Sequence, residues 1–168
     1  MEPTQQEKVL LVVDVTQFAR RRAEEDFERI LEMAASLASQ FNQRGLSLGL
    51  ITNGFLDGGG AGAVPIARNS QQLPSIMEVL ARLQMKSRVR IKEALISATT
   101  LSWGLSCLYL CYQEDGAIDV MDGYFRQCRM PVTYLVCHPR AAVQQDRPKS
   151  ARRVHRLTEL YIPGAVPI

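Results

Sequence analysis

The sequence predicts a single α/β domain, a three-layer Rossmann-like arrangement in which helices cover both faces of a mostly parallel sheet. Three observations predict it. Short aliphatic runs alternate with amphipathic segments along the chain, as in repeated strand–helix units. The first run, residues 9–13, has no polar position, which is typical of a strand buried on both faces. The 168 residues, 46% of them hydrophobic, are enough for one full core and short for two.

The first strand–helix–strand unit covers residues 9–52. Gly45 predicts the end of its helix, and acidic residues within 24–28 suit the positive end of the helix dipole. Residues 46–52 form the next strand, which such a connection makes parallel to the first. The apolar face of the helix repeats at steps of three and four: Phe27, Ile30, Leu31, Ala34, Leu37, Ala38 and Phe41.

A glycine cluster, Gly58 to Gly60, follows this unit. It is a candidate phosphate cradle, but it lacks the Lys and Ser/Thr of a P-loop and does not open a helix. The tip of a flexible hairpin is the favoured interpretation. Residues 64–67 then return as a short antiparallel edge strand, because Pro65 is tolerated only at an edge.

The second half continues the alternation. Ser70 is the expected N-cap of a helix whose apolar stripe runs from Leu73 to Leu83, with Pro74 in its first turn. Further elements are a helix at 91–98, a buried strand at 105–112, a helix at 118–128 and a strand at 132–137. The domain core thus covers about 9–138, followed by a basic loop at 139–156 and a C-terminal tail at 157–168.

Charge and cysteine content limit the function classes. Residues 126–168 carry eight Lys/Arg and two Asp/Glu. A solvated loop explains this basic segment better than a nucleic-acid site at 140–156, because no aromatic residues are interleaved with its arginines. The four cysteines have no zinc or redox spacing and are expected to be free thiols. With no signal peptide and no apolar run long enough to span a bilayer, the expected location is the cytoplasm.

Polar residues follow three of the predicted strands. They are Asp14 and Thr16 after the first, Asn53 after the second, and Glu114 and Asp115 after the strand at 105–112. Ligands of open α/β sheets bind at this carboxyl edge, and Mg²⁺ prefers such oxygen ligands. A structural interpretation stays open: Asp14 caps the following turn and Thr16 is a helix N-cap.

His138, which follows the last main strand, is interpreted as a loop residue rather than a catalytic base. Only two histidines are present, neither at a known spacing from a serine or cysteine, so a nucleophilic triad has little support.

Several of these segments together resemble a known family. They are the strand ending in Asp14-x-Thr16, the helix through 34–38, the segment 45–54, and Leu73-Pro74 leading to 80–83. This order and spacing resembles the C-terminal von Willebrand factor A-like domain of the bacterial family called domain of unknown function 58. The resemblance covers about 9–138. It implies a cytoplasmic piece of a larger, membrane-anchored protein, whose membrane-spanning helices and β-rich region would lie upstream.

The resemblance also implies a degenerate metal site. Von Willebrand A domains often bind a divalent ion through Asp-x-Ser-x-Ser plus a distant Thr and Asp. Asp14 matches the first Asp, Thr16 can replace the first Ser, and Asp115 or Glu114 can supply the late carboxylate. Phe18 occupies the second Ser position and cannot ligate, and no Thr lies near 87–89. The resemblance therefore implies a degenerate Mg²⁺ site at Asp14, Thr16 and Asp115, and no other cofactor is expected.

The function expected from this combination is a non-catalytic interaction or scaffolding domain. Its partner-binding face would include Asp14, Thr16, Asn53, Glu114 and Asp115. By resemblance, the partner is a MoxR-type AAA+ ATPase, and the role is assembly or maturation of other proteins. The alternative is a Mg²⁺-dependent metal-binding domain or hydrolase that uses the strand-end carboxylates Asp14 and Asp115.

Overall fold

A computed structural model describes residues 6–98, 104–138 and 153–157. It confirms the predicted fold class. Six strands form the central sheet in the order β4-β2-β1-β6-β7-β8; only β4 is antiparallel to its neighbour. The strands are β1 (Lys8–Val13), β2 (Ser47–Thr52), β3 (Gly54–Leu56), β4 (Ala63–Ala67), β5 (Leu83–Ser87), β6 (Leu105–Gln113), β7 (Val132–His138) and β8 (Arg153–Arg156).

Within the described residues, five helices cover the sheet: α1 (Thr16–Arg21), α2 (Glu24–Gln43), α3 (Gln72–Arg82), α4 (Ile91–Ala98) and α5 (Gly116–Gln127). Side chains of β1 alternate between two apolar cores, because successive residues of a strand point to opposite faces. Leu11 and Val13 pack in the core under α1, α2 and α3, and Leu10 and Val12 pack in the core under α4 and α5. The sheet is therefore the middle of three layers, as predicted.

Two elements differ from the expectation around the glycine cluster. Leu83, predicted on the helical stripe, begins β5, which pairs with β3 as a separate antiparallel ribbon. The glycines lie in the connection between the antiparallel neighbours β2 and β4, as a flexible hairpin requires, but this connection also contains β3. Residues 57–60, called the glycine loop below, have φ of 78°, 80° and 117° at their three glycines.

The glycine loop also does not form an anion cradle. Its backbone carbonyls face the guanidinium of Arg82: Nε donates to the Asp57 carbonyl at 2.8 Å, and Nη2 donates to the Gly59 carbonyl. A phosphate would need backbone N–H groups at that position. The guanidinium of Arg82 therefore holds the glycine loop in place, and the loop carbonyls face a cation rather than an anion.

Two further expectations are corrected. Ser70 is not an N-cap, because α3 begins at Gln72 and Asn69 accepts the Gln71 N–H at 2.9 Å. Residues 153–156, expected within the basic loop, form the edge strand β8 parallel to β7. The rest of the predicted loop and tail, 139–152 and 158–168, lies outside the described residues. Among those described, no helix is long and apolar enough to cross a membrane.

Candidate functional site

The sheet reverses its direction of winding between β1 and β6. The chain leaves β1 through α1 and α2 to β2 on one side, and leaves β6 through α5 to β7 on the other. The helices α2 and α5 lie on opposite faces. The switch point of the sheet therefore lies at the carboxyl ends of β1 and β6, which is where open α/β sheets place their sites.

Asp14 lies at this switch point, directly after β1, and is only 9% exposed. Its Oδ1 accepts the backbone N–H of Thr16 at 3.0 Å, which closes the turn between β1 and α1. Its Oδ2 accepts the hydroxyl of Tyr109 at 2.6 Å. The turn-capping interpretation of Asp14 is thus confirmed, while Thr16 is the first residue of α1 and not its N-cap, which is Val15.

Asn53 is almost fully buried and joins three loops. Its Oδ1 accepts the Val15 N–H at 3.0 Å. Its Nδ2 lies 3.2 Å from Asp14 Oδ1, 2.9 Å from Thr16 Oγ1 and 3.2 Å from the Val89 carbonyl. One side chain therefore connects the turn after β1, the end of β2 and the β5–α4 connection. Its backbone carbonyl also accepts the N–H of residue 88 at 2.8 Å.

Tyr109 is a fixed hydrogen-bond donor. Burial raises the pKa of its phenol well above the ordinary value, and the neighbouring Asp14 carboxylate raises this pKa further. Burial, with Asp14 again contributing, also raises the pKa of the Cys111 thiol well above its usual range. Both groups keep their protons at neutral pH, so the core beside Asp14 supplies neutral donors and no cation.

A second polar network lies closer to solvent than the network around Asp14 and Asn53. Gln17 accepts the Gln113 N–H at 2.9 Å and donates through Nε2 to Asp115 Oδ2. The other carboxylate oxygen of Asp115 accepts the Ala117 N–H at 2.9 Å, which caps α5. Glu114 is half-buried between them. Asp115 is thus engaged with α1 and α5, in a network separate from that of Asp14.

The donor set does not fit the expected metal ion. Asp14 and Thr16 are brought together, but the amide nitrogen of Asn53 lies between their oxygens, and both Asp115 oxygens have N–H partners. Phe18 is buried against the rings of Phe27 and Tyr112, with centroids 5.6 Å and 5.5 Å away. Within the described part of the chain, no three His, Cys, Asp or Glu residues are placed to hold a metal.

A surface cluster that was not predicted from the sequence lies at the same edge. His138, the last residue of β7, has Nε2 2.9 Å from Asp26 Oδ2 in the first turn of α2. The Tyr112 ring lies 4.7 Å from the imidazole, and the guanidinium of Arg21 lies 5.8 Å from the Tyr112 ring. The pKa of the adjacent Cys137 thiol is raised to about 12, chiefly by burial. Only the position of His138 at a strand end pointed to this cluster.

The expected binding face therefore divides into two layers. Asp14 and Asn53 are 9% and 1% exposed, which is too buried for direct contact with a partner. Their hydrogen bonds instead fix the conformation of the loops at this edge. Thr16, Glu114 and Asp115 are half-buried and border the surface. Fold and site together define a Rossmann-like α/β domain with a hydrogen-bonded polar network at its switch point.

Comparison with known proteins adds little to this definition. No protein-family model and no curated protein matches the chain. A crystal structure of the pilus adhesin SpaC from Lactobacillus rhamnosus GG aligns with 67% of this chain and 16% of its own, at 18% identity and a TM-score of 0.39. Its open conformation aligns with 65% and 15%, at 19% identity and a TM-score of 0.37. Neither similarity is high enough to indicate a shared function.

Proposed function

We propose that this chain is a non-catalytic, von Willebrand A-like interaction domain whose carboxyl edge docks a protein partner in the cytoplasm. The single observation that carries the proposal is the Asn53-centred network, which ties the loops of that edge together before any partner arrives. A partner that meets ordered loops does not have to order them on binding, and this lowers the entropic cost of association.

The partner we propose is a MoxR-type AAA+ ATPase, and the role is assembly or maturation of other proteins within a membrane-anchored parent protein. This part of the proposal rests on the sequence resemblance. The geometry supports only its first step, a binding surface at the carboxyl edge. Here half-buried Gln17, Glu114 and Asp115 lie beside the exposed start of α5.

Two matched substitutions on α5 test the docking surface. Ala117 is exposed at the carboxyl edge, and Gln127 is exposed at the opposite end of the same helix. Ala117→Arg and Gln127→Arg add the same side chain and the same charge at the two edges of the sheet. The Ala117 backbone N–H that Asp115 accepts is retained in the first variant.

The measurement is binding of each chain to the MoxR-type ATPase of the same organism, by interferometry with ATP and with ADP. Ala117→Arg is expected to weaken binding about tenfold or more, which corresponds to about 1.4 kcal/mol. Gln127→Arg should stay within about twofold of the native chain, a difference of about 0.4 kcal/mol. Equal effects of the two variants would reject the carboxyl edge as the docking surface, and no binding by the native chain would reject this partner.

A further inference from the structure

The side-chain amide of Asn53 is surrounded by oxygens in the way a bound cation would be. Three oxygens of different chemistry converge on its Nδ2: carboxylate Oδ1 of Asp14 at 3.2 Å, hydroxyl Oγ1 of Thr16 at 2.9 Å and the backbone carbonyl of Val89 at 3.2 Å. Carboxylate, hydroxyl and carbonyl oxygens are the ligands that hard divalent cations take. Here they surround an N–H₂ group instead.

We propose that the Asn53 amide permanently occupies the position of a divalent cation, so that this edge is organised without metal and a carboxylate at position 53 would create a cation site. The proposal concerns the organisation of the edge and does not depend on which partner docks there.

The orientation of the amide is fixed by a group that can only donate. The Val15 N–H points at Asn53 Oδ1 at 3.0 Å, and a backbone N–H cannot accept a hydrogen bond. Rotating the amide by 180° would turn its NH₂ against this N–H and place an oxygen against the Asp14 carboxylate and the Val89 carbonyl, which can only accept. The hydrogen bonds to Val15, Asp14 and Val89 would be lost, so the positive end of the amide dipole stays directed at the oxygens.

The same contacts engage the oxygens that an ion at this point would need. Mg²⁺ requires oxygens at about 2.0–2.1 Å, in near-octahedral geometry. Nδ2 is within hydrogen-bond distance of both Asp14 Oδ1 and Thr16 Oγ1, so an ion bound to these two oxygens would compete with the amide for them. The carboxylate charge of Asp14 is met instead by neutral donors: Tyr109 O–H, Thr16 N–H and the Asn53 amide.

Asn53→Asp inverts this arrangement with almost no change in shape. One carboxylate oxygen can still accept the Val15 N–H, and the other replaces Nδ2 among the oxygens of Asp14, Thr16 and Val89. Without metal, two carboxylates would face each other in a buried site, which lowers stability. With a divalent cation the repulsion becomes coordination, so the ion should restore stability to the variant and leave the native chain unchanged.

The test compares three chains: native, Asn53→Asp, and the exchanged pair Asp14→Asn with Asn53→Asp, which keeps a single carboxylate. Mn²⁺ binding is measured by calorimetry, and the unfolding midpoint by circular dichroism with Mn²⁺ or with EDTA. Asn53→Asp is expected to bind Mn²⁺ at least about tenfold more tightly than the native chain, a difference of about 1.4 kcal/mol. Its midpoint should rise with Mn²⁺, while the exchanged pair should behave like the native chain.

Two results would overturn the proposal. The first is a folded Asn53→Asp chain with no gain in Mn²⁺ affinity. The second, which needs no variant to fold, is Mn²⁺-induced paramagnetic broadening of the Asn53 side-chain NH₂ resonances in the native chain at submillimolar ion, because the proposal requires these resonances to stay sharp. Either result leaves the docking proposal standing, since the substitutions on α5 test that surface separately.

Discussion

The hydrogen bond from Tyr109 to Asp14 offers the sharpest test of the buried network. Tyr109→Phe removes one hydroxyl from a fully buried ring and leaves Asp14 Oδ2 without the donor that now lies 2.6 Å away. A hydrogen bond to a charged group contributes about 1.5–3 kcal/mol, and a buried acceptor left without its partner keeps its desolvation cost. We expect a loss of about 2–3 kcal/mol in the free energy of unfolding, or about 5–10 °C in the midpoint.

The pH dependence of this loss separates the hydrogen bond from a packing effect. Tyr109 has a folded pKa raised above the unfolded value of 10.0, so the folded state retains its proton when the unfolded state begins to release it. The stability this group contributes is complete below pH 10 and decreases above it. Tyr109→Phe cannot titrate, so the difference from the native chain should shrink by about 1.4 kcal/mol between pH 8 and pH 11.

Urea denaturation at both pH values, under reducing conditions, measures the two quantities. Buried Cys107, Cys111 and Cys137 also have raised pKa values and weaken both proteins at alkaline pH, but they cancel in the comparison. A loss below about 0.5 kcal/mol at pH 8, the range of an ordinary surface substitution, would show that Asp14 does not depend on Tyr109. If the difference in unfolding free energy between Tyr109→Phe and the native chain does not change with pH, the pKa of the Tyr109 phenol is not raised in the folded state.

Three further outcomes follow from packing and exposure. Gly49→Ala should lower stability by about 1–3 kcal/mol, because its Cβ would lie 2.6 Å from a side-chain carbon of edge strand β4. Gly123→Ala, at an exposed position of α5 with nothing within 4 Å, should raise stability by about 0.5–1 kcal/mol, and urea denaturation measures both. Only half-buried Cys128 should react quickly with a thiol reagent in the folded chain, and mass spectrometry of labelled peptides tests this. Arg82→Ala should speed amide hydrogen exchange in the glycine loop, while α2 exchange stays unchanged.

Strands buried on both faces were predictable from sequence. In β1, β2, β6 and β7, uninterrupted apolar runs reflect an environment in which both sides of the strand meet core, so tertiary context and local pattern agree. The edge strand β4 was predicted from Pro65, but β8 and β5 were not, because solvent replaces one neighbour of such strands. β8 contains a single apolar residue among arginines and a histidine, and β5 continues the spacing of the α3 stripe before its backbone extends.

The candidate site was predictable in location but not in chemistry. Topology alone placed Asp14, Thr16 and Asn53 at one edge, and the structure brings these three within hydrogen-bond distance of one another. Tyr109 was missed because a tyrosine inside an aliphatic strand resembles any other core residue. Its role arises only from register, which sets β6 beside β1. Asp115 was grouped with Asp14 because sequence order cannot show which loop each carboxylate caps.

The position of Asn53 explains why the edge can be ordered by so few residues. Asn53 immediately follows β2, so its backbone direction is set by the central sheet, and its short side chain reaches Val15 on one side and Val89 on the other. A longer or charged side chain there would add rotamers or an unpaired charge at a buried point. The Asp14 carboxylate requires hydrogen-bond donors. The neighbouring loops present an N–H at Val15 and a carbonyl at Val89, so they require one acceptor and one donor. The side-chain amide of Asn53 provides both kinds of group. The order of this edge therefore comes from bonds within the chain.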